Sequence, residues 1–505
     1  MEATHTPLLR PTLHIEVLLK SKQPPLIAQE VCASIKECIL DRHVDAKVGQ
    51  QISAGIVTLD NIHDETGPEL TSLETSDHAL IIQSAMVVDY TGPKGLSDFH
   101  RIDEVSLDIQ SYSLHSDQRP GQETSKRRRI SQPGDDEEVQ KARMLPLPNV
   151  ALKDEWDSLI YDNALPAQLL RYLTRMLGVM RQPGLNLSTF NWNRLCLLHG
   201  PPGSGKSTLC RALAQKLSIR LSKTFPQAVF VEVNTNSMLS KYFGESGKLI
   251  SALFEDIHAM AQSSGTLVCV VMDEVETIAG SREKVSSGGE CNDGLRATNQ
   301  LLTALDRIRS APNIIVLCTS NLIDAIDPAF LDRVDIKQLI PSPSAAAIYN
   351  IFRSCLNELV RASLIDVMAA EVYSESAVGS SSLAPSAPST NKKRAVTRSK
   401  KKQSPSPQKP ASSWPEQWTH LSAPTIPSYS EMQILLHNQP DSPGRRVEAL
   451  AQKCEGFSGR TLRRLPILGL AMYTWGGDCS LQDAVSALEA AVDQELKAKQ
   501  STREG

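Results

Sequence analysis

One short stretch constrains this chain more than any other: Gly200-Pro201-Pro202-Gly203-Ser204-Gly205-Lys206-Ser207-Thr208. It matches the pattern G-x-x-x-x-G-K-[ST] and lies between an apolar run, residues 195–199, and a helical stretch, Thr208 to Leu217, the context the pattern requires. Glycines let backbone N–H groups curl around a β-phosphate, and the N-terminus of the following helix adds positive dipole. In such a loop Lys206 reaches the β- and γ-phosphates and Ser207 ligates Mg²⁺. ATP and Mg²⁺ are therefore the expected ligands.

The surrounding pattern is α/β. Short apolar runs recur at 195–199, 228–233, 267–272 and 314–318, with helical sequence between them. Buried strands separated by helices argue a parallel sheet covered on both faces, which places an α/β subdomain carrying the phosphate loop at 145–343. Helical sequence at 344–363, 443–455, 461–474 and 480–498 makes a second, helical subdomain at 344–500. Residues 374–428 interrupt it. They are rich in Ser, Pro, Ala and Lys and keep no hydrophobic period, so they read as a disordered basic insertion. Ahead of the α/β subdomain, residues 1–115 read as a small α+β domain. It has a strand at Leu13 to Val17, a helix at Ile27 to Leu40, further strand at Ala79 to Ile82 and Met86 to Val88, and no catalytic motif. A polar segment, 116–144, reads as a disordered linker. Two basic clusters, Lys126 to Arg129 and the lysine–arginine run after Asn391, read either as nuclear import signals or as solvated charge runs; the nuclear reading is the expectation.

The 505 residues suggest two or three domains with linkers. A formal charge of −4 asks for no nucleic-acid partner. The ten cysteines form no CxxC pairs and mostly sit in apolar runs, which suggests reduced core thiols and gives no zinc-site spacing. The N-terminus lacks an apolar signal core, and no run approaches the roughly 18 apolar residues of a membrane span.

Three further elements follow the phosphate loop in the order its chemistry needs. The run LVCVVM ends in Asp273-Glu274. Asp273 would hold the metal through its water shell, and Glu274 would polarise the attacking water as general base. Strand alternation would point the two carboxylates to opposite sides. Thr319-Ser320-Asn321 ends the next strand, and a neutral amide beside the γ-phosphate suits Asn321 as a sensor; otherwise it is a turn-forming asparagine. Asp327 to Asp335 then contains Arg333. That residue is placed to enter a neighbour's site as an arginine finger, or else makes a structural salt bridge with Asp332 or Asp335.

Together these elements resemble the AAA+ ATPases, and within them the pachytene checkpoint ATPase family, remodellers of HORMA-domain proteins. The resemblance rests on WDSLIYD (156–162), NWNRLCLLHGPPGSGK (191–206), SKYFGESGKL (240–249), DEVETIA (273–279), DPAFLDRVDIKQ (327–338), PSAAAIY (343–349) and EGFSGRTLRRLP (455–466). It implies a homohexameric ring with ATP between subunits and a central pore lined by Lys241, Tyr242, Phe243 and Gly244. Those aromatics could instead be helix-packing residues; Gly244 and Gly247 favour a mobile loop. The resemblance also implies a second pore loop at Ser286 to Gly294, an adenine pocket near Trp156 to Tyr161, and a γ-phosphate contact from Arg460 unless that residue is merely solvated. The implied partners are HORMA-domain proteins, reached directly or through an adaptor and recognised by residues 1–115. The implied setting is meiotic chromosome-axis, recombination and spindle checkpoint control. No membrane or direct nucleic-acid partner is implied. The segment LDRVDIK carries one arginine where many AAA+ relatives carry two, and the insertion departs from the family pattern.

Rival readings make different demands. A microtubule-severing ATPase would want a basic first domain, and residues 1–115 are not basic. A clamp loader or helicase would need a basic pore or DNA-binding module. A scaffold that binds ATP without hydrolysing it would not need Glu274, Asn321 and Arg333 together.

Overall fold

The computed structural model describes residues 10–42, 45–52, 80–92, 99–116, 142–182, 189, 192–238, 246–280, 291–366, 426–474 and 479–504. The linker's basic cluster, the expected pore-loop residues Lys241 to Gly244, residues 286–290 of the expected second pore loop and nearly all of the basic insertion lie outside these residues. The chain divides into two compact units, Met1–Pro343 and Ser344–Gly505.

The first unit opens with a three-stranded sheet, ordered β3-β1-β5, of β1 (Thr12–Leu19), β3 (Ile82–Tyr90) and β5 (Ser106–Tyr112). A two-stranded ladder, β2 (Asp45–Lys47) with β4 (Phe99–Arg101), accompanies it. Helix α1 (Pro25–Arg42) covers one face, burying Val31, Ile35 and Ile39 against Leu13, Ile15 and Val17. The other face is polar. A register shift between His14 and Ile15 sets Asp89 opposite His14 while Val87 stays opposite Ile15. One extra residue in an antiparallel pair reverses the facing of the residues beyond it, so Asp89 joins the polar face although Val87 is in the core.

A six-stranded sheet follows, ordered β11-β7-β10-β9-β8-β6. Its strands are β6 (Ala142–Leu147), β7 (Leu195–His199), β8 (Gln227–Val233), β9 (Thr266–Met272), β10 (Ile314–Ser320) and β11 (Ile336–Leu339). All pairs are parallel except β6 with β8. Residues 142–144, assigned by composition to the linker, belong to β6; an edge strand with polar neighbours carries too weak an apolar period to stand out.

Alternation divides the sheet cleanly. Leu195, Leu197, Val268, Val270 and Val316 pack on α5 (Ser246–Met260) and α6 (Cys291–Ile308). Cys196, Leu198, Cys269, Val271 and Leu317 pack on α2 (Leu165–Val179) and α3 (Lys206–Arg220). Two short helices, α4 (Thr235–Met238) and α7 (Pro328–Asp332), complete the layers. Burial in this dry core pushes the Cys196 and Cys269 thiols up to about 12.

The polar face of the first sheet is joined to α2, to the C-terminal half of α3 and to the residues just after it. Asp89, 4% exposed, accepts hydrogen bonds from Arg171 on α2 and Arg220 on α3. Glu16 pairs with Lys216 at 2.6 Å. Asp108 lies 2.9 Å from Lys223 Nζ and 3.1 Å from His14 Nδ1, and Ser222 donates to Gln110. Burial alone would raise the Asp89 and Asp108 carboxyls. The hydrogen bonds and charges of Arg171 and Arg220, and of His14 and Lys223, prevail and hold both below the ordinary value.

The second unit is helical: α8 (Ala345–Arg361), α9 (Tyr429–Leu435), α10 (Pro443–Lys453), α11 (Gly459–Tyr473) and α12 (Leu481–Glu504). Serines start all five of them, Ser480 accepting the Asp483 N–H at the start of α12. Ser344, Ser428, Ser442 and Ser458 each accept an N–H of the first turn, which satisfies donors with no intrahelical partner. Residues 426–428, placed by composition at the end of the insertion, are packed instead. Ile426 is 3% exposed, its backbone is held by Asn357 and Arg353, and Ser428 forms a capping box with Glu431.

Candidate active site

The phosphate loop follows β7, and its neighbours in the sheet set what faces it. β10 lies between β7 and β9, with Ser320 opposite His199 and Cys318 opposite Met272. The C-terminal ends of all three strands therefore meet at one edge, where open α/β sheets bind ligands. Gly200 begins the loop at φ +145°, and a Cβ there would lie 2.1 Å from the Ile340 carbonyl oxygen. Gly205 ends it at φ +91°, and its missing side chain leaves room for the Tyr161 hydroxyl. Neither position accepts a side chain in that conformation.

Lys206 is 5% exposed. Its Nζ donates to the carbonyls of Gly200 and Pro201, at 2.9 and 2.8 Å, and to Asn321 Oδ1 at 2.9 Å. Burial lowers its pKa, opposed by the carboxylates of Asp273, Glu276 and Glu274. Asn321 turns its other end to the base: Nδ2 lies 3.4 Å from Glu274 Oε1. A single neutral side chain thus bridges the loop lysine and the candidate base.

Ser207 Oγ donates to Asp273 Oδ1 at 2.7 Å. A hydroxyl and a carboxylate in contact are the hard oxygen donors that Mg²⁺ takes, so the pair fits the expected metal. Thr319 organises the acidic side: its hydroxyl donates to Asp273 Oδ1 and accepts the Glu274 N–H at 3.1 Å. Thr235 adds a bond to the Asp273 carbonyl.

Strand alternation does not separate the two carboxylates as expected. β9 ends at Met272, and Glu274 sits at φ 51°, ψ 53°, opening a 3₁₀ turn from Val275 to Thr277. The left-handed residue, rather than the pleat, turns Glu274 away from Asp273.

Sequence reasoning missed Glu276. Its Oε1 accepts the backbone N–H of Asn321 at 2.9 Å, while Oε2 is buried without a hydrogen-bond partner. An acidic residue two places after a metal-and-base pair was the available signal.

Arg333 caps the C-terminus of α7, whose N-terminus is capped by Asp327. It pairs with neither Asp332 nor Asp335. Its Nε and Nη2 each lie 2.9 Å from a carboxylate oxygen of Asp306 on α6, and Nη1 donates to the Ala329 carbonyl. Asp335 instead accepts the N–H groups of Asn193 and Leu195, and Asn193 Nδ2 donates to the Arg333 carbonyl.

The remaining candidates are distributed unevenly. Tyr161 donates to the Ser204 carbonyl at 3.4 Å and so borders the loop. Trp156 does not accompany it; Lys216 Nζ lies over its ring, on the far half of α3. Gly247 is in the first turn of α5, and residues 291–294, the end of the expected second pore loop, form the first turn of α6. Arg460 is exposed on the first turn of α11, in the second unit.

Comparison with known proteins adds relatives to this geometry. Residues 196–342 match the ATPase family associated with various cellular activities (AAA). Residues 414–496 match the TRIP13-like, AAA+ ATPase lid C-terminal domain. The pachytene checkpoint protein 2 homolog of Danio rerio is 32% identical over 428 residues, 83% of each chain. That of Arabidopsis thaliana is 41% identical over 323 residues, 63% of this chain and 58% of its own length. The solved structure of C. elegans PCH-2 superposes with a TM-score of 0.63 at 26% identity, covering 96% of this chain and 99% of that one.

Proposed function

From the premise that this chain belongs to the pachytene checkpoint protein 2 family of AAA+ ATPases, we propose that it is a ring-forming motor that partly unfolds HORMA-domain proteins. The observation that carries the reading is the contiguous set Lys206–Asn321–Glu274 beside Ser207–Asp273. The backbone of residues 200–208 and Lys206 bind the phosphates of ATP. Ser207 and Asp273 would hold Mg²⁺, which would supply charge neutralisation for the transferred phosphoryl group. Glu274 accepts a proton from the attacking water, and Asn321 orients that water without adding charge.

Arg333 completes the site of a neighbouring subunit in a homohexamer, and Arg460 contacts the γ-phosphate. Tyr242 and Phe243 grip the client by apolar contact, which needs no particular client sequence. The N-terminal domain captures the client, directly or through an adaptor. Control of the meiotic chromosome axis, recombination checkpoint and spindle checkpoint is the setting that this activity serves. The basic clusters at 126–129 and after Asn391 support a nuclear location.

The test uses the full-length chain, ATP, a closed HORMA-domain protein with its bound peptide and, where needed, an adaptor. The peptide should be released only with ATP and parental Glu274, and the Glu274→Gln chain should retain the client instead. If no HORMA-domain protein is released or retained, the client assignment is wrong and the ATPase stands without it.

A further inference from the structure

We propose that Asp306 is a positioning residue for the finger Arg333, holding the guanidinium by one edge so that the opposite edge is presented to the adjoining subunit's nucleotide. The inference rests on the reading of Arg333 as a trans-acting finger.

The geometry of the pair carries it. A carboxylate can meet a guanidinium across Nε and Nη2, or end-on across Nη1 and Nη2. Asp306 takes the first edge, with both contacts at 2.9 Å. Nη1 gives one N–H to the Ala329 carbonyl at 2.8 Å. One N–H on each terminal nitrogen is left, enough for a bidentate grip on a phosphate. An end-on carboxylate would have consumed that edge.

The pair is also placed for access rather than for stability. Arg333 is 27% exposed and Asp306 50%, and ion pairs so exposed contribute little or nothing to folding. The backbone beneath is fixed by other means: Asp327 caps α7, and Asn193 holds the Arg333 carbonyl. What Asp306 adds is therefore the direction of a long side chain that would otherwise sample several rotamers.

Helix α6 gives that direction a second anchor. Thr298, on the same helix, donates to the Ile278 carbonyl at 2.7 Å, just past the turn that carries Glu274 and Glu276. One rigid helix thus joins a subunit's own catalytic turn to the finger it offers elsewhere.

The test compares Asp306→Asn and Arg333→Ala full-length chains in steady-state ATP hydrolysis. Arg333→Ala should abolish nearly all turnover. Asp306→Asn should lower kcat roughly 10- to 100-fold, the scale of a small misplacement of a catalytic group. KM for ATP should stay within about twofold, because the finger acts on transition-state charge and not on ground-state binding. Mixing Asp306→Asn with Lys206→Ala subunits should raise turnover per Asp306→Asn subunit, since an intact cradle then meets an intact finger. A parental or raised kcat for Asp306→Asn, or a lowered kcat that mixing leaves unchanged, overturns the inference. An active Arg333→Ala chain overturns the finger reading itself, whatever Asp306→Asn does.

Discussion

The two ends of α3 join the rest of the molecule by opposite strategies. At its N-terminus Lys206 is satisfied by two loop carbonyls and an amide oxygen, all neutral. Beyond its middle, Lys216 and Arg220 are satisfied by the full charges of Glu16 and Asp89, and Lys223 just past the helix by Asp108. Neutral hydrogen-bond partners leave the lysine without a bonded counter-charge, so its ammonium can still meet an anion. Ionised partners consume the charge within the chain. One helix can therefore serve the phosphate loop at one end and the first sheet at the other without the two sites competing.

The largest effect should come from the catalytic end. Glu274→Gln should keep ATP binding and lose about 10² to 10⁴ of the turnover, the usual loss with a general base. Nucleotide binding followed beside single-turnover hydrolysis separates the two. Parental hydrolysis would mean that another group takes the proton.

The latch end should respond in stability instead. Asp89→Ala leaves Arg220 buried without its counter-charge, which costs about 3 kcal/mol, the lower end for a broken buried pair because Arg171 is a third exposed and can turn to water. Urea midpoints of parent and variant measure it. The pH dependence has a definite sign. Asp89 and Asp108 have folded pKa values below the ordinary 3.8, so their contribution is present above that value and is lost as pH falls through the folded pKa. The difference between parent and Asp89→Ala should stay flat from about pH 8 to about pH 5. A difference that shrinks within this range would assign the latch to some other group.

Thr319→Val tests whether neutral positioning matters at the catalytic end. It removes the hydroxyl that joins Asp273 to the Glu274 backbone, and kcat should fall on the order of tenfold, less than loss of the base itself. The smallest effect belongs to Lys223→Ala. Its side chain is 65% exposed, so the urea midpoint should move by less than about 0.5 kcal/mol in stability. A larger change would show that the latch is held at its rim and not around Asp89.

Much of the catalytic end was legible in the sequence, because its chemistry is local. Residues 200–208 carry their glycines and lysine contiguously, Asp273 and Asn321 stand just beyond strand ends, and Arg333 ends a short helix. Pairing between distant elements could not be read. Nothing in the sequence links Asp306 to Arg333, since an exposed helical aspartate resembles any other. Nor could the latch be read: its charges come from five elements and the residues after α3, and Asp89 reaches its face through a one-residue register shift. The left-handed turn at Glu274 was also hidden, because glutamate gives no signal of it.

The latch has a mechanical consequence. The first domain's covalent connection to the ATPase passes through residues 116 to 142, but a second route runs through Asp89 and Arg220 into α3. At 1.5 Å per residue that helix is a strut about 22 Å long ending at Lys206. The first sheet and the phosphate loop are thus joined by one unbroken helix as well as by the chain that connects them.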